Sequence, residues 1–459
     1  MKSILYLVKR TSEFFRITVG DAFRIVRSPR QNLRQIHGVS FIRNAGYLMA
    51  NSGITLILGF GFWIVAARFY TVSEVGYGSA LISATIFLSF VGTLGFGYGI
   101  IRYLPSSDDR SRLLNSSFTL TGLASVAAAL VFVGGLSLWS PELVFVRQNW
   151  IFFAAFVGFT AANTLSIVVS QAFIAFRRSG FVLINSIVAG GLRLALAVGL
   201  ACFFKVFGIF ASHGLAVAVS LGVGLLIFLP RMLPRYRPNL SFHRQTSKKL
   251  ANFSFANFFS EGLWNLPMWI LPLMILNTRG AEDNAYFYMA WSMANLLLAI
   301  ALGISFSLFA EGNYDIKNVN RNLISSLKLI VLLLIPAAVI MALLGDKFLL
   351  VYGSEYSDAG KRLLQILALA SLPASINFLY LGLARIEERL KSLIMVAGII
   401  AVATLALSYI LLPHLGILGV GVGWLATQTV LVFFTAPRLV RRIKHPGSSP
   451  DIPASSAEG

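Results

Sequence analysis

Two stretches, "RLLNSS" at residues 112–117 and "RNLISS" at residues 321–326, place the pattern R-x-L-x-S-S twice in the chain, 209 residues apart. Leucine and alanine matches arise easily in an apolar chain, but this pattern falls just before the third apolar segment of each half, so it indicates an internal repeat. The same offset relates Tyr77 and Tyr286, Ser83 and Ser292, Leu88 and Leu297, Ala128–Ala129 and Ala337–Ala338, and Ala175 and Ala384. In a slightly shifted register, "GI" at 208–209 matches "GI" at 416–417, and "PR" at 230–231 matches "PR" at 437–438.

The composition places both repeats in a membrane. Of 459 residues, 57% are hydrophobic and only 12% are charged, and the mean hydropathy is +0.77. Such values are far too apolar for a soluble domain of this length. The single cysteine, Cys202, excludes an intramolecular disulfide, and the five histidines lack the spacing of a metal site. We therefore expect a polytopic membrane protein that uses no metal and no cofactor.

About twelve apolar segments have roughly the 20 residues that a helix needs to cross a bilayer. Six segments in each repeat bring both halves into the membrane from the same side, related by a pseudo-twofold axis along the membrane normal. The predicted fold class is an all-α protein of two parallel six-helix bundles, an architecture that alternating-access transporters use. The predicted spans are 45–66, 76–101, 114–136, 150–173, 181–204, 209–230, 251–276, 285–309, 323–345, 362–383, 393–412 and 416–436.

The distribution of basic residues predicts the orientation. With the amino terminus in the cytoplasm, 30 lysines and arginines fall in inside segments and 7 in outside loops. This bias follows the positive-inside rule, so both termini are expected in the cytoplasm and the protein in the cytoplasmic membrane. The net charge of +20 would then contact anionic inner-leaflet lipids, and no nucleic-acid partner is needed to explain it.

Five regions follow from these patterns. Residues 1–43 mix basic and apolar residues, which favours an interfacial amphipathic helix, with a flexible basic tail as the alternative. The two bundles are predicted at 44–230 and 251–437, joined by a basic cytoplasmic linker at 231–250. Residues 438–459 form a tail that is first basic and then rich in Pro, Ser and Gly, a composition typical of disorder.

The first two predicted spans carry a family resemblance. "RNAGYLMANSGITLILGFGFWIVAARFYTVSEVGYGSALI" at 43–82 and "FVGTLGFGYGIIRYLP" at 90–105 resemble polysaccharide and lipid-linked oligosaccharide flippases of the multidrug/oligosaccharidyl-lipid/polysaccharide (MOP) exporter superfamily. The resemblance covers about residues 41–440. It implies transfer of a polyprenyl-diphosphate-linked sugar from the cytoplasmic to the outer leaflet, and not an enzyme. The implied partners are the lipid-linked sugar, anionic membrane lipids, and polysaccharide polymerase or glycosyltransferase machinery.

Other function classes stay open. A multidrug or small-molecule antiporter of the same superfamily shares the topology, but that branch commonly has an acidic residue in the first span, and 45–66 contains none. A peptidoglycan-precursor flippase resembles a layout of fourteen spans, two more than predicted here. A membrane polymerase or glycosyltransferase would need larger loops than this chain has.

Charged residues inside or beside the spans are candidates for the cargo site. Arg193 lies in mid-span within "VAGGLRLALAVG", where a charge is costly, and arginine can bind phosphate oxygens with two parallel hydrogen bonds. Arg43 and Arg102 lie where the first two spans meet the cytoplasm and are candidates to receive the phosphate. The structural alternatives are an ion pair for Arg193 and orientation of the chain for the other two.

The seventh span, "FSEGLWNLPMWILP" at 259–272, combines Glu261 with two prolines. Glu261 is a candidate coupling site, a counter-charge to Arg193, or a hydrogen-bonded acid with a purely structural role. Pro267 and Pro272 lack the backbone N–H group, so they are expected to kink or break the helix and to act in gating. The resemblance implies a bending first helix in each bundle.

Four asparagines in the spans are candidates to bind sugar hydroxyls, with amide contacts between helices as the alternative. They are Asn51, Asn163, Asn257 and Asn265. The glycine clusters "GFGYG" at 95–99 and "GVGVG" at 419–423 lack the strand-then-helix setting of a phosphate loop, so they are interpreted as sites of close helix packing.

Overall fold

A computed structural model describes residues 36–234, 236–314, 318–387 and 389–444. These residues form helices and short connections, with no β-strand among them. Most of the predicted amphipathic segment 1–43 and the end of the tail, from residue 445, lie outside the described residues. The long helices are α1 (Ile36–Phe69), α2 (Val72–Gly92), α3 (Arg110–Gly134), α4 (Trp150–Ala175), α5 (Ser179–Ala201), α6 (Lys205–Met232), α7 (Arg244–Arg279), α8 (Ala281–Tyr314), α9 (Val319–Leu349), α10 (Ser354–Ile386), α11 (Leu390–Leu415) and α12 (Ile417–Lys444).

The packing of these helices repeats with a period of six. In the first half α1 packs on α5, α5 on α6, α4 on α6 and α3 on α4. In the second half the equivalent pairs are α7 with α11, α11 with α12, α10 with α12 and α9 with α10. The two halves meet where α2 contacts α7 and α8. The predicted pair of six-helix bundles is therefore the observed architecture.

Eleven of the described helices are long and apolar enough to cross a membrane. The remaining long helix, α7, is interrupted by polar groups, since Asn257, Glu261 and Asn265 follow one another at intervals of four residues. It also begins at Arg244, inside the stretch predicted as a linker, and α12 likewise runs seven residues past 437 to Lys444. Because α7 contacts both halves of the molecule, this polar stripe indicates that one face of α7 is directed at polar surroundings.

The second predicted span, 76–101, is two helices in the structure. After α2 ends, Leu94 and Gly95 adopt left-handed conformations with φ of 51° and 73°, and a short helix, Phe96–Tyr103, follows. A Cβ on Gly95 would lie 2.8 Å from Cβ of Phe258 in α7. Glycine is therefore needed both for the turn and for the close approach of α7. Hydropathy alone cannot detect such a break, because the residues on both sides are equally apolar.

Two further local distortions have a cause in the sequence. Wide π-helical turns lie at Gly224–Phe228 in α6 and at Ile330–Leu334 in α9. Each ends two residues before a proline, Pro230 or Pro336. Since proline has no N–H group and its ring clashes with the carbonyl one turn earlier, a wider turn accommodates it without ending the helix.

The two ends of the molecule are named here after the ends of α1. The Arg43 end is predicted to face the cytoplasm, and the Arg68 end the outside. At the Arg68 end, Tyr70 follows α1 and donates its hydroxyl hydrogen to the carbonyl oxygen of Ala197 in α5 (2.9 Å). Burial, followed by the nearby Glu74 carboxylate, raises the pKa of Tyr70 to about 12, so this donor stays protonated and holds α1 against its own half.

Candidate functional site

A cavity of about 430 Å³ lies between the two halves. One wall is α1, and the opposite wall is built by α7 and α8. Every one of its lining side chains is uncharged. They are Asn51, Ser52, Thr55, Leu56, Gly59, Phe60 and Trp63 from α1, Met268 from α7, and Tyr288, Trp291, Ser292, Asn295 and Leu296 from α8.

The lining combines aromatic rings with amides and hydroxyls. The rings of Trp63 and Tyr288 meet across the cavity with centroids 4.6 Å apart. The Asn51 side-chain oxygen and the Trp291 indole nitrogen are buried and have no hydrogen-bond partner among the described residues. Buried polar atoms are normally paired, so these two have hydrogen-bonding capacity that the described residues leave unsatisfied. A wall of this kind suits a molecule with many hydroxyl groups and apolar faces, such as a sugar.

Arg193 of α5 lies directly behind this wall. A Cβ on Gly59 would be 3.9 Å from its Nη2, so only a glycine separates the guanidinium from the cavity. The guanidinium carbon stacks 4.7 Å from the centroid of the Phe62 ring. None of the carboxylates in the described residues forms an ion pair with it, and its Nε is buried without a hydrogen-bond partner.

His213 of α6 is a polar neighbour of Arg193. Nη1 of Arg193 lies 3.4 Å from Nδ1 of His213. Because a guanidinium can only donate, Nδ1 must accept, which places the histidine proton on Nε2 and leaves the ring neutral. The positive charge of Arg193 is thus dispersed over an aromatic face and a neutral imidazole, and it is not cancelled.

The cavity is closed at the Arg68 end. Phe60 of α1 packs edge-on against Tyr352 of the second half, with centroids 5.7 Å apart. One turn beyond the Trp63–Tyr288 contact, Arg68 donates from Nε to the carbonyl of Val351 (2.9 Å) and from Nη2 to that of Leu350 (2.7 Å). These carbonyls follow α9, so the arginine joins the two halves. We call this contact the Arg68 clasp.

Toward the Arg43 end, α1 is more open. Met49 and Ile57 are exposed by 71% and 69%, and Ser52 and Thr55 line the cavity from the same part of the helix. Two contacts in this region instead join α7 to the first half. The Tyr98 hydroxyl donates to Oε2 of Glu261, and the Gly99 amide donates to Oγ of Ser254 (3.0 Å). The halves therefore touch along α7 while α1 stands apart.

Glu261 is not the counter-charge of Arg193, which corrects one of the sequence hypotheses. Its hydrogen-bond donor is Tyr98 in the short helix after α2, and Arg385 at the end of α10 lies within electrostatic reach of both residues. The backbone of α7 turns Glu261 toward this group, whereas Arg193 faces α1 and α6. Span position alone could not separate these two environments, because depth in the membrane does not fix the direction of a side chain.

A second, smaller cavity of about 220 Å³ lies at the Arg43 end, between α1 and the start of α5. Three arginines line it, Arg43 from α1 and Arg177 and Arg178 from the connection between α4 and α5. Asn44 and Tyr47 complete the α1 side, and Gly180, Phe181 and Ile184 the α5 side. The Asn44 side-chain oxygen accepts from the Ser179 amide (3.1 Å), which fixes the connection against α1.

The structure brings together only some of the candidate residues. Asn51 lines the central cavity, Arg193 lies behind it and Arg43 lines the second cavity. The side chains of Arg102, Asn163 and Asn257 line neither of these two cavities. The two prolines of α7 are buried, and the helix continues through both, so neither breaks it. Bending at Pro267 and Pro272 remains a prediction.

Several residues at the site were not singled out by the sequence. The sequence did contain a signal for His213, since Arg193 and His213 lie at equal distances on either side of Phe203, in the turn between α5 and α6. Antiparallel neighbours place such residues at the same depth. Asn295, a polar residue within the predicted span 285–309, carried the same signal as Asn51, whereas Trp63, Tyr288 and Trp291 carried none, since aromatic residues are ordinary in an apolar helix.

Comparisons with known proteins identify a matching family and similar solved structures. A model of the family described as "Polysaccharide biosynthesis protein" matches residues 41–310. A search among curated proteins gave no match. Among solved structures, an inward-facing multidrug resistance MATE family transporter of the MOP superfamily superimposes with a TM-score of 0.68 at 13% identity, covering 87% of this chain and 98% of the other.

Two other solved structures share the fold. The lipid II flippase MurJ, in an inward closed conformation, gives a TM-score of 0.69 at 13% identity, covering 87% of this chain and 90% of the other. A MOP superfamily transporter from Pyrococcus furiosus gives 0.61 at 13% identity, covering 89% and 96%. Because the family match extends over more than half of the chain, and the fold is shared along nearly all of it, the chain belongs to the polysaccharide biosynthesis protein family and has the MOP superfamily fold.

Proposed function

We propose that this protein is a flippase that moves a polyprenyl-diphosphate-linked oligosaccharide or polysaccharide precursor across the cytoplasmic membrane by alternating access. The observation that carries the proposal is the buried cation behind the central cavity. Arg193 has no carboxylate partner among the described residues, and only Gly59 separates it from the cavity. Its potential favours an anionic cargo, since a charge in a low-dielectric site acts strongly on its surroundings.

The cavity wall supports a sugar as the part of the cargo that enters it. Indole rings pack against the apolar faces of sugar rings, and amides and hydroxyls hydrogen-bond to sugar hydroxyl groups. The unpaired Asn51 oxygen and Trp291 nitrogen provide one acceptor and one donor. The polyprenyl tail would remain in the bilayer beside α1, where Met49 and Ile57 are exposed.

The contacts between the halves support an inward-facing state. The Arg68 clasp and the Phe60–Tyr352 pair close the predicted outer end, whereas α1 lines an open cavity toward the predicted cytoplasmic end. Cargo loading from the cytoplasm, followed by breakage of the clasp, would complete transfer. Both termini would lie in the cytoplasm, as the 30 to 7 distribution of basic residues favours.

The second candidate is a cation-coupled multidrug or small-molecule antiporter. The similarity of the fold to that of a multidrug resistance MATE family transporter supports this candidate. A site for cationic drugs is expected to present a carboxylate. Glu261 is the acid nearest in sequence to the cavity residue Met268, but it accepts a hydrogen bond from Tyr98 and does not line the cavity. The charge in this site therefore has the wrong sign for that class of substrate.

The proposal is tested in liposomes that contain the purified protein and a fluorescent prenyl-diphosphate oligosaccharide. Movement of this lipid between leaflets is measured by chemical quenching of the outer leaflet. We expect wild type and Arg193→Lys to move the lipid, and Arg193→Gln to move it about tenfold more slowly, because a unit charge a few ångströms from an anionic cargo is lost.

Arg231→Gln is the matched control, because it removes an exposed arginine near the Arg43 end that lines neither cavity. It should transport like wild type. If folded wild type moves no lipid-linked sugar under a proton or sodium gradient, but does exchange a cationic dye for protons, the antiporter is the correct function.

A further inference from the structure

The second cavity has features that the transport cycle described above does not use. Its three arginines, Arg43, Arg177 and Arg178, converge on about 220 Å³ of space. Water occupies roughly 30 Å³ per molecule in the liquid, so a phosphate group fits. No carboxylate of the described residues is paired with any of the three.

Three other arginines predicted at this end of the molecule are paired with acids. Arg112 pairs with Asp109, and Arg389 and Arg442 both pair with Glu387. Orientation in the membrane requires only that basic residues lie at the cytoplasmic end. It does not explain why three of them line one cavity.

The conformation of Arg177 gives a further observation. Arg177 has φ of 55° and follows the end of α4. Its amide donates to the carbonyl of Ile174, and that of Arg178 to the carbonyl of Phe173, both at 2.9 Å. This is the Schellman pattern of helix ends, in which glycine is favoured at the left-handed position. Arg177 therefore adopts a backbone conformation that is unfavourable for a residue with a side chain. The turn that this conformation makes places Arg177 and Arg178 in the wall of the second cavity.

The position of the cavity relates it to the central one. Arg43, Tyr47 and Asn51 follow one another at intervals of four residues on one face of α1. Arg43 and Tyr47 line the second cavity, and Asn51 the central one. Eight residues of helix span about 12 Å, so one extended headgroup can reach from the arginines to the sugar cavity.

We propose that Arg43, Arg177 and Arg178 form a binding site for the phosphate of a lipid headgroup at the cytoplasmic leaflet. The guanidinium groups donate to phosphate oxygens, and Tyr47 and Asn44 shape the α1 side. The phosphate chemistry stands without the proposed function. Its assignment to the diphosphate of the cargo rests on that function, and the alternative source of the same chemistry is an anionic phospholipid.

The test uses the purified full-length protein in detergent, titrated with geranylgeranyl diphosphate by calorimetry. Retention of phosphatidylglycerol is measured separately by native mass spectrometry. We expect Arg43→Gln and Arg177→Gly each to weaken diphosphate binding about tenfold, as expected for losing a charge-assisted contact. Arg231→Gln, which changes the same charge outside the cavity, should bind like wild type.

The Arg177→Gly variant distinguishes loss of the binding site from misfolding of the protein. Glycine suits the left-handed position, so this variant should melt at a higher temperature than wild type while binding the diphosphate more weakly. A purely structural arginine would give the first change without the second. Loss of phosphatidylglycerol retention with unchanged diphosphate binding supports the site and assigns it to a bulk phospholipid.

The site is overturned if neither lipid is bound more weakly by Arg43→Gln and Arg177→Gly than by Arg231→Gln. This outcome differs from failure of the proposed function. A wild-type protein that binds geranylgeranyl diphosphate through these arginines but flips no lipid-linked sugar would refute the flippase and leave the phosphate site intact.

Discussion

At the scale of single residues, the hydrogen bond from Tyr98 to Glu261 tests how the two halves are held together. It joins the short helix after α2 to α7 and is one of the hydrogen bonds that connect the two halves. A hydrogen bond to a charged acceptor contributes roughly 1.5–3 kcal/mol. We expect Tyr98→Phe and Glu261→Leu to lower the thermal unfolding midpoint, and the double variant to fall little below either single variant, because both changes remove the same bond. Additive losses would show that the two side chains act separately.

The same pair separates two roles of Glu261. If Glu261 only holds the halves together, then Tyr98→Phe and Glu261→Leu should change the transport rate alike at every ion gradient. A coupling acid predicts that Glu261→Leu alone loses the dependence of transport on a proton or sodium gradient. The measurement is the liposome assay with and without each gradient.

At the scale of an element, α7 combines a polar stripe with two prolines and still forms one helix from Arg244 to Arg279. Each proline removes a donor, so the carbonyls of Leu263 and Met268 lack their usual partner one turn later. Pro267→Ala restores one such bond. We expect a higher unfolding midpoint and slower lipid transfer, because a stiffer α7 resists the bending that opening requires.

The matched control for α7 is Pro373→Ala, which makes the same change inside α10. None of the α10 side chains lines the central cavity. This variant should leave the transport rate unchanged. Equal slowing by both variants, or no slowing by Pro267→Ala, would contradict a gating role for the α7 prolines and leave them as packing residues.

At the scale of the whole molecule, the Arg68 clasp joins the two halves at the Arg68 end. It uses two hydrogen bonds from one side chain to the carbonyls of Leu350 and Val351. We expect Arg68→Gln to shift the population toward states open at this end, since a few kcal/mol separate such states. At the Arg68 end, Cys202 is exposed on the first half and Asp358 on the second half.

The distance between spin labels on Cys202 and on Asp358→Cys measures the separation of the halves at this end. Arg68→Gln should add a population with longer label-to-label distances.

Arg147→Gln is the control for this measurement. Arg147 also donates to a carbonyl and a hydroxyl at the Arg68 end, but both acceptors, Gly134 and Ser137, belong to its own half. Its removal should leave the label distances unchanged. Identical distance distributions for wild type and Arg68→Gln would mean that the apolar pair Phe60–Tyr352 keeps the end closed without the arginine.

The sequence by itself determined the membrane setting, the number of long helices and the duplication. Each of these depends on local composition or on a repeated pattern such as R-x-L-x-S-S. In hydrocarbon the backbone must satisfy its own hydrogen bonds, so a long apolar segment has essentially one available structure, the helix. The sequence also indicated Arg193 and Asn51 as candidate site residues, because polar groups are rare in such segments.

Only the tertiary structure decided which way each side chain points. The spans are apolar on nearly all faces, so periodicity does not reveal how a helix is rotated, and packing against its neighbours fixes that rotation. For this reason Arg193 contacts Phe62 and His213, Glu261 accepts a hydrogen bond from Tyr98, and Arg43 lines one cavity with Arg177 and Arg178. The break at Gly95 was hidden for a related reason: it depends on the approach of Phe258 from a helix more than 150 residues away.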